Sequence, residues 1–334
     1  MKPKLSFKDL IQKLEDKNIS PGSYTEDQIE NYLKTRSYYY KISSYRKNFP
    51  KLPQGGYDKL TFDHLVATAK LDVRLREYLL MLCLDIEHAT RTNLMRILTD
   101  DDNEDGYTIV KEFQDKFPKK FNEVLSHFRS SKYRLDMFRK RTQISSWVLM
   151  EIIDFGTLVQ FLEFYIESRT PKYEKLYAKE HRFIKNIRNS CAHNDVFLIN
   201  LFLKEDMIPR PYPSTKSFSN TMGINNGLVK YPKIIDLVNL FYIHSKICSD
   251  ELNQRRYKEG IEVLNRYDEN SEMINHSTSL KKFFESIFKN QLTFWIKHNT
   301  IDMRKQGETL ARILYRVIEK VSCLCWLFSI SPDI

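Results

Sequence analysis

Glycine is scarce in this chain, 9 residues in 334, and proline stops at 11. With Leu, Lys, Glu, Ile and Arg abundant, that scarcity favours helix over strand. Five cysteines, at 83, 191, 248, 323 and 325, are odd in number and scattered. No CxxC pairs with a second one, so neither a zinc ribbon nor a disulfide framework is indicated. Cys323 and Cys325 sit in the apolar run "VSCLCWLF" and read as buried free thiols. Long apolar runs are also missing. The greasiest stretch, "WVLMEIIDFGTLVQFLEFYI", is interrupted by Glu151, Asp154, Gln160 and Glu163, so it is not a membrane span. The start, "MKPKLSFKDLIQ", has no apolar core of signal-peptide length. The expectation is a reduced, cytoplasmic, soluble protein without a membrane partner.

What is present is a basic and aromatic chain. Hydrophobic residues make up 42%, enough for a real core, and aromatics 13%. A formal charge of +10 points to a polyanionic partner, with nucleic acid the first candidate.

Periodicity predicts helices almost throughout, and strand signals are few, so the chain reads as all-α. Residues 1–60 form an N-terminal segment with two short helices in its first fifty positions. Thr25 and Gln28 have the spacing of a capping pair. Ile29, Leu33 and Tyr40 are the expected buried face, with Lys34, Arg36, Lys41, Arg46 and Lys47 wet. The tyrosines 38, 39, 40 and 45 among these cations fit either a packing seam or stacking on single-stranded bases. A core follows over 61–203, with its clearest helix at 62–98 and others over 145–168 and from about Lys172 onward. The acidic "TDDDNEDGY" after the first of these is expected to be exposed. Residues 204–232 are proline- and glycine-bearing and read as a long loop. Residues 233–334 form a C-terminal region with helical patterns at 233–250, 252–266, 278–298 and 303–329, expected to pack on the core.

Chemistry concentrates in "FIKNIRNSCAHNDVFLIN", residues 183–200. Leu176, Phe183, Ile184, Ile187 and Cys191 form the apolar stripe of a helix. Measured from Ile187 at about 100° per residue, Arg188 lies near ~100°, Asn189 near ~200° and His193 near ~240°. Asn189 and His193 therefore share a face turned away from the core, flanked by Arg188. A polar trio there is catalytic only if another surface closes over it, as a symmetric dimer would provide. Arginine and histidine are the minimum for RNA cleavage without a metal or other cofactor. The imidazole moves protons, and the guanidinium forks onto the phosphate. The alternative is a solvated helix face carrying an ordinary histidine.

"RNSCAHN" resembles the R-x4-6-H signature of the HEPN superfamily. The wider chain, over about residues 5–200, resembles the Abi_2 abortive-infection family of AbiD and AbiF type. The likeness rests on "YLKTRSYYYKISSYRKNF" and on Asp72, Leu75, Arg76, Ile86, Glu87 and Arg91 of the long helix. It rests also on Trp147, Glu151, Phe155, Gly156 and Leu158 of "SSWVLMEIIDFGTL". One departure is Asp195, where the family often carries arginine, although Asn194 and Asn200 are kept.

The resemblance implies a HEPN-type helical bundle with added N- and C-terminal helices, and homodimerisation around the motif. It also implies metal-independent endoribonuclease activity in anti-phage or toxin–antitoxin defence, with a structured small RNA as a further partner. Arg188, Asn189 and His193 would be catalytic. Glu87 and Arg91, four apart on one helix, are either supports of Arg188 or His193 or a plain surface ion pair; Asn194 is a further supporting candidate. Arg129, Lys132, Arg134, Arg139, Lys140 and Arg141 are the candidate RNA-binding surface. Competing functions are a non-catalytic RNA-binding module and a protein-interaction subunit. "DFG" at 154–156 lacks the other kinase motifs and is discounted. His88, His127, His181, His244, His276 and His298 show no ligand spacing, and Trp147, Trp295 and Trp326 read as core anchors.

Overall fold

The computed structural model describes residues 3–133, 143–169 and 176–295. Among them are fourteen α-helices and two strands of two residues each. The chain is all-α. The strands, Ile19–Ser20 and Leu60–Thr61, pair in parallel with Ile19 opposite Leu60, which ties the N-terminal segment to the start of the long helix.

Helices α1 (Phe7–Glu15) and α2 (Glu26–Thr35) each open on a capping box, Ser6 with Asp9 and Thr25 with Gln28. In the second, Gln28 N–H donates to Thr25 Oγ1 at 3.2 Å and Thr25 N–H to Gln28 Oε1 at 2.9 Å. The first fifty residues then add α3 (Tyr39–Ser44) and a 3₁₀ turn, Tyr45–Asn48. Because the chain breaks helix at residues 37–38, the phase carried forward from Ile29 and Leu33 is lost. Tyr40 is accordingly 78% exposed instead of buried, while Tyr32, Ile42 and Tyr45 take the core positions.

Helix α4 (Phe62–Thr99) spans 38 residues, or about 57 Å at about 1.5 Å per residue. It is buried on several sides because α3 and the later helices Ala178–Ala192, Pro232–Ile247 and Asp250–Glu269 all pack on it. After it come α5 (Thr108–Lys116) and α6 (Pro118–Ser130). The single helix expected over 145–168 is two, α7 (Ser146–Ile152) and α8 (Phe155–Ser168). Asp154 divides them by N-capping α8, its carboxylate accepting Thr157 N–H at 2.9 Å and Thr157 O–H at 3.0 Å. That cap is the structural role of the aspartate in "DFG". Trp147 is not a core anchor. It lies 42% exposed at the start of α7, edge-on to Tyr107 and against Gly106. The acidic loop is not wholly exposed either, since the Glu104 side chain is covered where it pairs with Arg169.

Helix α9 (Ala178–Ala192) lies against α4, α8 and α11. His181 pins it to α4: its Nδ1 faces the Tyr177 carbonyl at 2.8 Å and its Nε2 the Thr90 hydroxyl at 2.7 Å. Burial pushes this imidazole below its usual range, so the ring is neutral, with Nδ1 the donor.

The expected loop at 204–232 contains a helix, α10 (Pro213–Thr221). Its inward residues include Thr215 and Ser219, which carry no apolar signal; Thr215 is buried by accepting from Asn239 Nδ2 at 3.0 Å. Then α11 (Pro232–Ile247) and α12 (Asp250–Glu269) pack on α4. Arg256 of α12 forks onto Asp85 of α4 at 2.5 and 2.9 Å, and His244 of α11 reaches the same carboxylate at 3.1 Å. Those bonds hold Asp85 below the usual carboxylate range against the opposing effect of burial. The pattern over 278–298 begins as α14 (Thr278–Phe283), after a one-turn α13 (Ser271–Ile274), and passes through a π-turn, Phe284–Phe288, into helix over 289–295. The pattern at 303–329, with Cys323, Cys325 and Trp326, and His298, lies outside the described residues.

Candidate functional site

The inner face of α9 is set by Ile184, Ile187 and Cys191, all buried against α4 and α11. That phase leaves Asn189 and His193 exposed on the outer face, as the spacing predicts. Burial pushes the Cys191 thiol up to about 12, and raises Cys83 beneath it well above its ordinary value. Neither is a ready nucleophile.

Arg188 occupies the flank between the two faces. Its Nε stands 4.0 Å from Glu87 Oε2 on α4. Both atoms are sealed from solvent and neither has a hydrogen-bond partner. The side chain is nonetheless 31% exposed, so that exposure belongs to the rest of it. Glu87 is held from the other side: its Oε1 accepts from Arg91 Nη2 at 2.6 Å, and the same nitrogen donates to the Ile153 carbonyl at 2.8 Å. A relay thus runs from the end of α7 through Arg91 and Glu87 to Arg188. The two sequence readings of Glu87 and Arg91 meet here. They form an ion pair, only 15% and 20% exposed, and the pair faces Arg188.

His193 is the C-cap of α9. The helix ends in a Schellman motif, with Asn194 N–H donating to Cys191 O at 3.1 Å and Asp195 N–H to Ser190 O at 2.9 Å. Asn194 takes the left-handed position, φ 61°, which asparagine tolerates better than most side chains. Its side-chain oxygen accepts from Arg76 Nη1 and its carbonyl from Lys41 Nζ, the latter at 2.7 Å. Lys41 is therefore half-buried at this cap instead of wet. Burial, then the Arg76 charge, lowers its ammonium below the usual lysine range.

Behind the cap sits Asp72, fully buried. Its Oδ2 accepts from Arg76 Nε and Tyr45 O–H, both at 2.8 Å, and its Oδ1 from the Phe197 and Leu198 N–H groups at 2.9 and 2.6 Å. A buried ion pair is sustained by such additional bonds. Asn48 Nδ2 donates to Leu198 O at 2.6 Å, and Lys233 Nζ to the Phe197 and Ile199 carbonyls at 2.7 Å each. Burial pushes Lys233 down to about 8. The chain just after the histidine is thus clamped from α3, α4, the 3₁₀ turn and α11. Asp195 is exposed beside this cap, where its charge opposes the depression of Lys41 and Lys233.

Sequence reasoning brought Arg188, Asn189, His193, Asn194, Glu87 and Arg91 into one neighbourhood. It assigned no site role to Asp72 and Arg76, although both were visible as motif residues, and it missed Lys41, Asn48 and Lys233. Of the basic surface, Arg129 and Lys132 are exposed at the end of α6, which packs on α5 and α7. Arg134, Arg139, Lys140 and Arg141 lie outside the described residues. Among the described residues, no group of three or more His, Cys, Asp or Glu could hold a metal ion, and no helix is long and apolar enough to cross a membrane.

No curated protein and no solved structure matches the chain. The family model described as Abi-like protein (Abi_2) matches residues 31–198, just over half of the chain. The matched span runs from the helix preceding the tyrosine-rich segment to Leu198, whose N–H is held by Asp72. The chain belongs to the Abi-like protein family.

Proposed function

We propose that this protein is a metal-independent endoribonuclease of HEPN type that acts as a homodimer. Family membership supports a role in abortive-infection defence. The observation that carries the nuclease reading is the pairing of two differently held groups on α9. Arg188 turns a sealed Nε towards the Glu87–Arg91 ion pair at 4.0 Å, and His193 is exposed at a clamped helix terminus.

On one helix the two groups are five residues apart, about 7.5 Å in rise and roughly 140° in angle. A second copy meeting this face about a two-fold axis would place Arg188 of one protomer opposite His193 of the other. An imidazole can accept and later return a proton within the physiological range. His193 removes the proton from a ribose 2′-OH, the 2′-oxygen attacks the adjacent phosphorus, and the bond to the 5′-oxygen breaks. The departing oxygen takes up a proton, from the imidazolium or from water. Arg188 holds the non-bridging oxygens as charge builds, and Asn189 orients the phosphate or the ring. The products are a 2′,3′-cyclic phosphate and a 5′-hydroxyl end.

The test is His193→Ala in the full-length chain. It should abolish RNA cleavage and growth toxicity while the dimer persists, and sequencing of co-purified RNA should show cut ends only with the parent. Persistent cleavage by purified His193→Ala protein would refute the assignment. The net charge of +10 favours a second reading, a non-catalytic module that holds a structured small RNA. Its binding would fall steeply with salt and survive His193→Ala.

A further inference from the structure

The tyrosine-rich segment contains two rings that the core does not use. Tyr32 and Tyr45 are buried, whereas Tyr38 is 66% and Tyr40 78% exposed. Tyr39, between them, turns inward and seals its hydroxyl, and it meets the Tyr40 ring edge-on at 6.4 Å. Lys41, next in sequence, donates from Nζ to the carbonyl of Asn194, one residue past His193. Through Lys41 the fold therefore joins the segment that carries the two wet rings to the histidine cap. Arg36 and Lys47 are exposed on the same segment. Exposed rings interleaved with cations are the combination on which unpaired bases stack while their backbone is neutralised. Every nucleobase has a face to cover them, and the phosphates between bases match the surrounding charge.

We infer that Tyr38 and Tyr40 form a stacking platform for unpaired bases next to the scissile phosphate, so that the substrate is single-stranded RNA or an unpaired loop. This deepens the ribonuclease reading and rests on it for the scissile phosphate. Bases inside a duplex already stack on their neighbours and offer no free face to the tyrosines.

The experiment uses full-length protein carrying His193→Ala, which binds without cutting, and a fluorescent single-stranded oligouridylate read by anisotropy. Tyr38→Ala with Tyr40→Ala should weaken binding by about tenfold or more, while the paired changes to Phe keep it within about twofold because the ring faces remain. An abasic strand of the same length should bind weakly and be indifferent to either pair, as should a fully paired duplex. Both tyrosines are exposed, so the melting temperature of the alanine pair should match that of its parent. Unchanged oligouridylate binding by the alanine pair, or equal binding of the abasic strand, overturns the platform. Cleavage in the His193 background separates the two proposals. Cutting that survives His193→Ala, with tyrosine-dependent binding intact, refutes the role of His193 and leaves the platform. Cutting that needs His193 but ignores the tyrosine pair does the reverse.

Discussion

Arg76 reaches across 118 residues of sequence to hold the side chain of Asn194, the residue that follows His193. Its other contact is the buried carboxylate of Asp72, at 2.8 Å. One guanidinium therefore joins the middle of α4 to the cap of the motif helix. Removing it by Arg76→Ala leaves Asp72 charged, buried and short of its counter-ion, a change that costs about 3–5 kcal/mol in comparable sites. Urea denaturation should show a loss of that order. A loss near zero would mean that the clamp does not bear on stability.

Asn194 separates backbone from side chain at the same point. Asn194→Gly satisfies the left-handed φ of 61° but deletes the acceptor for Arg76. It should fold nearly as well as the parent and lose cleavage, because the cap carrying His193 is less fixed. Asn194→Val keeps a side chain but forces a β-branched residue into the left-handed region, costing about 1–2 kcal/mol from the backbone alone. Melting curves together with cleavage rates distinguish the two, and a glycine variant with full activity would show that the Arg76 bond does not position the histidine.

Glu87 is best tested by an isosteric change. Glu87→Gln keeps the volume but removes the charge that faces Arg188 Nε at 4.0 Å. Losing that counter-charge beside a sealed guanidinium nitrogen should lower the cleavage kcat/KM by roughly tenfold with little change in fold. Arg91→Ala should act in the same direction, since it frees the carboxylate that Arg91 orients at 2.6 Å. If both variants cleave like the parent, the relay is an ion pair and nothing more.

The helices were legible where one local signal sufficed. The pattern over 62–98 became Phe62–Thr99, and the phase of α9 put Asn189 and His193 outside. Tyr40 misled because three consecutive tyrosines fit any phase once the helix breaks before them. The helix at Pro213–Thr221 was hidden because its inward residues include Thr215 and Ser219, buried by hydrogen bonding instead of by apolar character. The candidate site was half legible. Its chemistry lies within six residues of sequence, but the clamp around it comes from Lys41, Asn48, Asp72, Arg76 and Lys233. No periodicity encodes contacts over such separations.

Two opposed titrations on α11 should shape the pH dependence of stability. Burial pushes Asp236 up to about 7 from 3.8, with Asn186 Nδ2 and the Lys233 charge acting weakly the other way. Between about pH 4 and 7 the folded protein keeps a proton that the unfolded chain has released, so this carboxyl makes stability fall as pH rises. Lys233, pushed down to about 8 from 10.5 by burial, sheds its proton in the folded state while the unfolded chain still holds one. Between those two values its contribution makes stability rise with pH, and below about 8 that contribution is absent. Each limb amounts to a few kcal/mol at most, because a tenfold change in proton affinity on folding corresponds to about 1.4 kcal/mol. Asp236→Asn should flatten the acidic limb and stabilise the protein at neutral pH, and Lys233→Met should flatten the alkaline one while freeing the Phe197 and Ile199 carbonyls it now holds. Denaturation midpoints measured across the pH range for the parent and both variants decide it: parallel curves for all three would mean that neither group titrates differently on folding.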